Sequence, residues 1–463
     1  MNDLVTGFVR ADGARLVDGT GNPLLPRGIG LGNWLLAEGY MWKFGDELSS
    51  QRQIEQHLQT LVGPAKAAEF WTRFRATFIT EADVAAIARL GFDHIRLPLN
   101  ARHLVDADGV FLDGFTHIDD LLRWARTHGL LVLLDLHGAP GGQTGTNIDD
   151  SHGEPELFMH ERNRRLTIHL WEEIARRYKT NTTVLGYDLL NEPLPNQWQH
   201  VYAADLITLY RDLTAAIRAI DPSHLIIYEG SHWATNWSIF TEVLDPNSAL
   251  QFHRYWCPPD RASIQPYLDT RDQLGLPIYM GEGGENTAQW IYAAHRLYEH
   301  HTIGWNLWPW KKLDTLTSPV SANPPGDWHL IADPALPPDR AWDILQRYLD
   351  AIPWDACTRR PEVVNAAFGR PPLHIPAWGY TDDSPDYRDR FATFQLNGYW
   401  HHSTGALPIT VHAGQELHFP LENRPSAWTA DADDPDAFDI TWQDDRLVVR
   451  ARRTAQLRSL QAL

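Results

Sequence analysis

Two glutamates stand where an apolar run gives way to a polar loop: Glu192 in VLGYDLLNEP and Glu282 in LPIYMGEGG. Each run is strand-length and rich in aliphatic residues, so each carboxylate is carried to the point where a buried strand meets its loop. Singly, each has a plain structural reading. Glu192 fits the acidic first turn of a helix, and Glu282 fits a turn between glycines. As a pair they fit glycoside hydrolysis, in which one carboxyl donates a proton to the leaving oxygen and the other, ionised, attacks the anomeric carbon. That division requires surroundings that push the two pKa values apart. Arg96 and Tyr255 are expected beside Glu282, where a guanidinium and a phenol would hold it ionised and oriented. Glu192, expected to lack such a partner, is then the one kept protonated.

The elements must bring these side chains together. Residues 25–310 alternate short apolar runs with amphipathic helical patterns. The runs are LPRGIGLG, DHIRLPLN, LLVLLDLH, VLGYDLLNEP, HLIIYEG, ALQFHRYW, LPIYMGEGG and IGWNLWPW. They lack in/out alternation, as expected of strands covered on both faces. Between them, TEADVAAIARLG opens on a capping-box-like Thr80 and Asp83 and closes at Gly91. Single stripes run through Ile118, Leu121, Leu122 and Ala125, and through Leu170, Trp171, Ile174 and Tyr178. Eight buried strands with intervening helices fit an α/β chain closed into a (β/α)₈ TIM barrel. A doubly wound open sheet would want a Gly-rich nucleotide turn leading into a helix, and GIGLGNW is not one.

In such a barrel the strands' C-terminal ends carry the chemistry. Arg96 then comes from the second strand, His137 from the third, Asn191 and Glu192 from the fourth, His253 and Tyr255 from the sixth, Glu282 from the seventh and Trp308 from the eighth. His253 and Tyr255 are two apart on one strand and face the same way. Trp34, Trp42 and Trp308 are candidate sugar platforms; for Trp34 and Trp42 a core role fits equally well. Glu285 lies past the strand end and is a weaker rival nucleophile to Glu282.

After about residue 352 the texture changes to short, often alternating runs separated by Pro, Gly and Asp: LHIPAWGY, FATFQL, PITVHA, QELHFPL, FDITWQ and DRLVVRARR. These predict a smaller C-terminal antiparallel β-sandwich. The expected division is 1–352 for the catalytic barrel and 353–463 for the accessory sandwich.

The formal net charge of −19 is spread along the chain and argues against nucleic acid, anionic membrane or polyphosphate partners. The two cysteines, Cys257 and Cys357, have neither zinc-ligand spacing nor the look of a disulfide framework. The histidines show no HExxH or similar pair, so no metal and no cofactor are expected. DADDPDAFD at 431–439 lacks the glycine and terminal glutamate of a calcium loop and reads as a solvated loop. MNDLVTGFVRADGARLVDG has no basic start followed by an apolar run, so a cytoplasmic setting is the expectation, secretion remaining open for a trimmed chain.

The motifs RLPLN, DLHGAPGG, LLNEP, HRY, YMGEGG and GWNLWPWK resemble glycoside hydrolase family 5, the retaining β-glycosidases of clan A, across residues 25–311. The resemblance implies a (β/α)₈ barrel, a carbohydrate substrate, Glu192 as acid/base and Glu282 as nucleophile. It places Arg96, His137, Asn191, His253, Tyr255 and Trp308 in the active site, with Asn191 on the sugar 2-hydroxyl and Trp308 flooring the −1 subsite. GLGNWLLAEGYM and DLHGAPGGQTG are most similar to the branch of exo-acting β-1,3-glucanases and bacterial relatives, in which Glu38 would contact the terminal sugar. GEGGEN departs from that pattern, having no aromatic after Gly-Glu, so the glucan substrate is not carried over. The expected activity is a retaining β-glycosidase, exo-acting on short oligosaccharides or small glycosides. The alternatives are an endo-acting glucanase or mannanase, a glycosylceramidase-type hydrolase, and a non-catalytic carbohydrate-binding barrel. The last would need a missing or displaced carboxylate.

Overall fold

The computed structural model describes residues 6–45, 48–387 and 407–463. Eight parallel strands form the centre: β1 Arg27–Gly30, β2 His94–Asn100, β3 Leu131–Gly138, β4 Val184–Asp188, β5 Leu225–Glu229, β6 Ser248–Arg254, β7 Ile278–Gly284 and β8 Gly304–Trp308. They close in the order β7-β8-β1-β2-β3-β4-β5-β6, so every expected barrel run supplies one strand. Almost every strand residue is buried, which is why the runs show no alternation. The pairing slips by a residue in β7 between Met280 and Glu282, and between Leu99 and Asn100 where β2 meets β3. Such bulges re-aim the side chains that follow, here at the catalytic end of the barrel.

Inside the barrel, Leu131, Leu133, Leu185, Leu225, Ile227, Ala249 and Tyr279 form an apolar cluster with Val9 and Leu16. Val9 and Leu16 belong to the chain's first residues, where the hairpin Arg10–Asp12 and Arg15–Val17 covers the end of the barrel opposite the strands' C-termini. The outward faces pack on the helices. Thr80 donates its backbone N–H to Asp83 at 3.0 Å to start helix Glu81–Arg89, and Gly91 follows that helix at φ +91°. The stripes of Ile118 and Leu122, and of Leu170 and Ile174, are buried as expected.

Two further helices, Gln51–Val62 and Pro64–Phe78, lie in the β1–β2 connection and pack on helix Pro338–Ala351. Trp42 is buried among Phe74, Trp328 and Tyr348. Trp34 is also buried, donating its indole N–H to the carbonyl of Arg75 at 2.8 Å.

The C-terminal part holds two antiparallel sheets. Strand Ala455–Ala462 pairs with Leu373–Pro376, Ile409–Val411 and Trp428–Ala432, while Arg446–Ala451 runs between Glu416–Pro420 and Phe438–Gln443. FATFQL lies outside the described residues. The acids of DADDPDAFD face arginines near the last strand: Asp431 with Arg458, Asp434 with Arg453 and Asp439 with Arg452. No described helix is long and apolar enough to cross a membrane.

Candidate active site

A cavity of about 1110 Å³ opens at the C-terminal ends of the strands. Its lining includes Glu38, His137, Glu192, His253, Tyr255, Glu282 and Trp308. Arg96 and Asn191 are buried just beneath, in contact with those side chains. Trp34 is not in the lining, because its ring is spent on packing behind the loop that follows β1.

Arg96 is the hub. Its guanidinium is fully buried and fans its donors over four groups. Nε donates to Asp188 at 2.8 Å, Nη2 to Glu229 and to Asn191 at 2.9 Å each, and Nη1 makes a short contact with Glu282. Asp135 adds a carboxylate at 3.2 Å. Tyr255 donates its hydroxyl to the other Glu282 oxygen at 2.6 Å. Glu282 is thus held at both oxygens by side chains from β2 and from just beyond β6.

Glu192 is placed by its backbone. It has φ +43°, a left-handed conformation uncommon for a non-glycine residue, and its N–H donates to Glu229 at 2.7 Å. Gln143 braces the same turn, donating to the carbonyls of Asn191 at 2.9 Å and His137 at 2.7 Å. The expectation that Glu192 has no partner is overturned: His253 Nδ1 lies 2.7 Å from its carboxylate. Oxygens of Glu192 and Glu282 lie, with a His253 nitrogen, within 4.8 Å of one another.

Trp308 forms one side of the cavity. Its ring stacks on His137 with centroids 5.4 Å apart, and a Cβ on Gly30 or Gly32 would come within 2.6 Å of it. Bare backbone there lets the indole lie flat. The indole N–H donates to Tyr40 at 3.2 Å, and Tyr40 donates to Glu285 at 3.3 Å. Glu285 also lines the cavity and pairs with Lys312. Glu38 is buried with one carboxylate oxygen free of any hydrogen-bond partner.

A sequence profile described as "Cellulase (glycosyl hydrolase family 5)" matches residues 53–314, more than half of the chain. The chain belongs to glycoside hydrolase family 5. It is 30% identical to a beta-xylosidase of Phanerodontia chrysosporium over 346 residues, covering 66% of this chain and 71% of that one. It is also 30% identical to a probable glucan 1,3-beta-glucosidase A of Emericella nidulans, covering 55% of this chain and 66% of the relative. Among solved structures, rutinosidase from Aspergillus niger shares the fold, with a TM-score of 0.51 at 18% identity, over 63% of this chain and 92% of that one. Family 5 hydrolases are retaining O-glycosidases, so this protein is a glycoside hydrolase acting on carbohydrate.

The electrostatics of this family 5 site follow from many carboxylates sharing few cations. Burial leaves Glu282 above its ordinary value, His253 and Arg96 pulling it back only in part. Burial and then the neighbouring Glu282, Glu285 and Glu192 raise Glu38. Burial takes Asp135 to about 8 despite Arg96. Glu229 stays below its ordinary value because His253, hydrogen bonding and Arg96 outweigh its burial. His253 is raised, the carboxylates around it overcoming desolvation, so it is the imidazolium of the site. His137 is lowered to about 4 by burial and is neutral. Its Nδ1–H then donates to Asp135 at 2.6 Å, leaving Nε2 to accept from the Asn191 amide at 3.2 Å.

Sequence reasoning missed Glu229, although it ends the HLIIYEG run just as Glu192 and Glu282 end theirs. It also missed Asp135, which is two residues from His137 and on the same face of β3. Trp233 and Trp256 line the cavity as well. Trp233 lies in the middle of three consecutive left-handed residues, His232 to Ala234, and nothing in the sequence announces that turn.

Proposed function

We propose that the enzyme is a retaining, exo-acting β-glycosidase of short oligosaccharides or small glycosides, working by double displacement. Glu282 attacks the anomeric carbon as the bond to the leaving oxygen breaks, and Glu192 gives that oxygen its proton. Glu192 then takes a proton from water, which attacks the glycosyl–Glu282 ester and frees the carboxylate. The observation that carries this reading is the approach of the two carboxylates. Oxygens of the two carboxyls within 4.8 Å of each other suit the close pairing of retaining enzymes, whose carboxyl groups stand roughly 5–5.5 Å apart. Arg96 and Tyr255 hold Glu282 at both oxygens and favour its ionised form.

The exo reading rests on the cavity walls. Glu38 and Tyr40 from the segment after β1, and Asn147 and Ile148 from the segment after β3, add to the cavity lining beyond the strand ends. The xyloside- and glucan-acting relatives name xylose and glucose as the first sugars to try at the −1 position. We assign the barrel to 1–352 and an accessory role to 353–463, whose sheets pack on the outer helix Ala288–His300, away from the cavity.

The test is a nitrophenyl β-glycoside panel, xyloside and glucoside included, on wild type, Glu192→Ala and Glu282→Ala. Early proton NMR of the product should show the β anomer. Glu282→Ala should lose at least about 10³-fold in kcat, on the scale of losing the nucleophile. Wild-type turnover by Glu282→Ala, or an α first product, rules the assignment out.

A further inference from the structure

Far from the cavity, the C-terminal end of helix Ala288–His300 meets a turn that leads into the C-terminal sheets. His300 Nε2 lies 3.1 Å from Asp382 Oδ1, and His301 Nε2 lies 2.9 Å from Asp382 Oδ2. The two imidazole nitrogens and the carboxylate offer ligand atoms all within 4.8 Å of one another. The Asp382 side chain is only 3% exposed, and its Oδ1 makes no hydrogen bond of good geometry. His300 meets that oxygen at ion-pair distance but off the hydrogen-bond direction. A cation bound by all three groups would engage that oxygen directly.

Both sides of the cluster are fixed by their backbones. The His301 N–H is shared between the carbonyls of Leu297 and Tyr298, and its own carbonyl accepts from Arg271 at 2.9 Å. The turn bearing Asp382 is tied to strand Glu416–Pro420 through the Thr381 N–H and the His418 carbonyl at 3.0 Å. The ligands are therefore presented by two rigid elements, not by mobile side chains on one.

We propose that His300, His301 and Asp382 form a zinc-class metal site that clasps the barrel's outer helix to the C-terminal sheets. Two neutral imidazoles and one carboxylate suit a borderline-soft divalent ion over calcium or magnesium, which prefer all-oxygen shells. Water completes the shell on the exposed His300 side. Helix Ala288–His300 leaves β7 at the catalytic end and runs back, so its last turn lies at the other end of the barrel. The clasp therefore bears on stability and not on hydrolysis.

The experiment is calorimetric titration of the full-length enzyme with zinc alone, with thermal unfolding and glycosidase assays in parallel. The expected result is one site of micromolar affinity, a rise of a few degrees in Tm, and unchanged turnover. His301→Ala and Asp382→Asn should each weaken binding at least about tenfold and abolish the Tm rise. Equal binding by wild type and both variants would place the metal on other histidines and overturn the proposal. So would inhibition of turnover with the same affinity, which would place it on Glu192, His253 and Glu282. Anomalous scattering at the zinc edge from zinc-soaked wild-type crystals gives an answer independent of any variant: no peak between His300, His301 and Asp382 also overturns it.

Discussion

Glu229 shows how much of this site is carried by a residue that need not touch the substrate. One of its oxygens accepts from Arg96 at 2.9 Å and lies 3.3 Å from His253, and the other receives the Glu192 backbone N–H at 2.7 Å. It thus fixes the hub beneath Glu282 and the strained backbone of Glu192 at once. Glu229→Gln keeps the shape but puts an amide NH₂ where an acceptor is needed, facing either a cation or the Glu192 N–H. The carboxyls it aligns are then displaced, and misplacement near 1 Å is worth about 10²-fold in rate. We expect kcat to fall about 10²-fold while KM changes little, since Glu38, Trp308 and the rest of the cavity wall are untouched. Steady-state kinetics on the best nitrophenyl glycoside decide it: a change confined to KM contradicts this role. At this scale the sequence was legible at Glu192 and Glu282, where the strand end also carries a motif, and not at Glu229, which ends β5 without one. It was silent where a side chain acts through tertiary contact, as when His253 supplies the partner that Glu192 seemed to lack.

Among the elements, the junction after β8 depends on one buried lysine. Lys311 is fully buried and 2.8 Å from Asp83, which is also the capping partner of Thr80 at the start of helix Glu81–Arg89. Its ammonium also donates to the carbonyl of Ile352 at 3.1 Å and to that of Phe78 at the end of the preceding helix. One charge thus joins the eighth strand's exit, one helix start and two helix ends. Lys311→Met fills similar volume but leaves Asp83 and two carbonyls without their cation, a loss on the order of 3–5 kcal/mol. Urea unfolding should show that drop, with turnover at 25 °C preserved in the folded fraction; a shift below about 1 kcal/mol would mean that the pair contributes little. The capping box was readable from Thr80 and Asp83, but Lys311 was not, because its partners come from positions more than 200 residues apart. The C-terminal strand Ala455–Ala462 escaped for a related reason. Its alternating burial is supplied by three neighbouring strands, whereas AQLRSLQA alone has no β-branched residue to announce it.

At the scale of the whole molecule, the eight-run pattern was enough to give the barrel because parallel strands buried on both faces leave a continuous apolar signature. What lies between layers left none. His295 faces inward from helix Ala288–His300, with its ring edge-on to Trp305 at 4.4 Å, its Nδ1–H donating to the Ile291 carbonyl at 2.7 Å, and its Nε2 buried with no partner. Burial lowers its pKa to about 3, from an ordinary value near 6.5. His94, inside the barrel and 2.6 Å from the Tyr279 hydroxyl, is likewise lowered to about 3 by burial. Each therefore binds fewer protons folded than unfolded at any pH between those two values. The stability that each contributes is fully present above about pH 6.5 and is lost as the pH falls towards 3. For His295 the slope is about 1.4 kcal/mol per pH unit, or roughly 2–3 kcal/mol between pH 6.5 and 4.5. Wild type and His295→Leu, unfolded by urea at a series of pH values, should differ by that slope, the variant losing less stability on acidification. Parallel curves from pH 7 to pH 4.5 would show that His295 takes up its proton without leaving the fold, and that the space between helix and barrel is not the dry layer its packing describes.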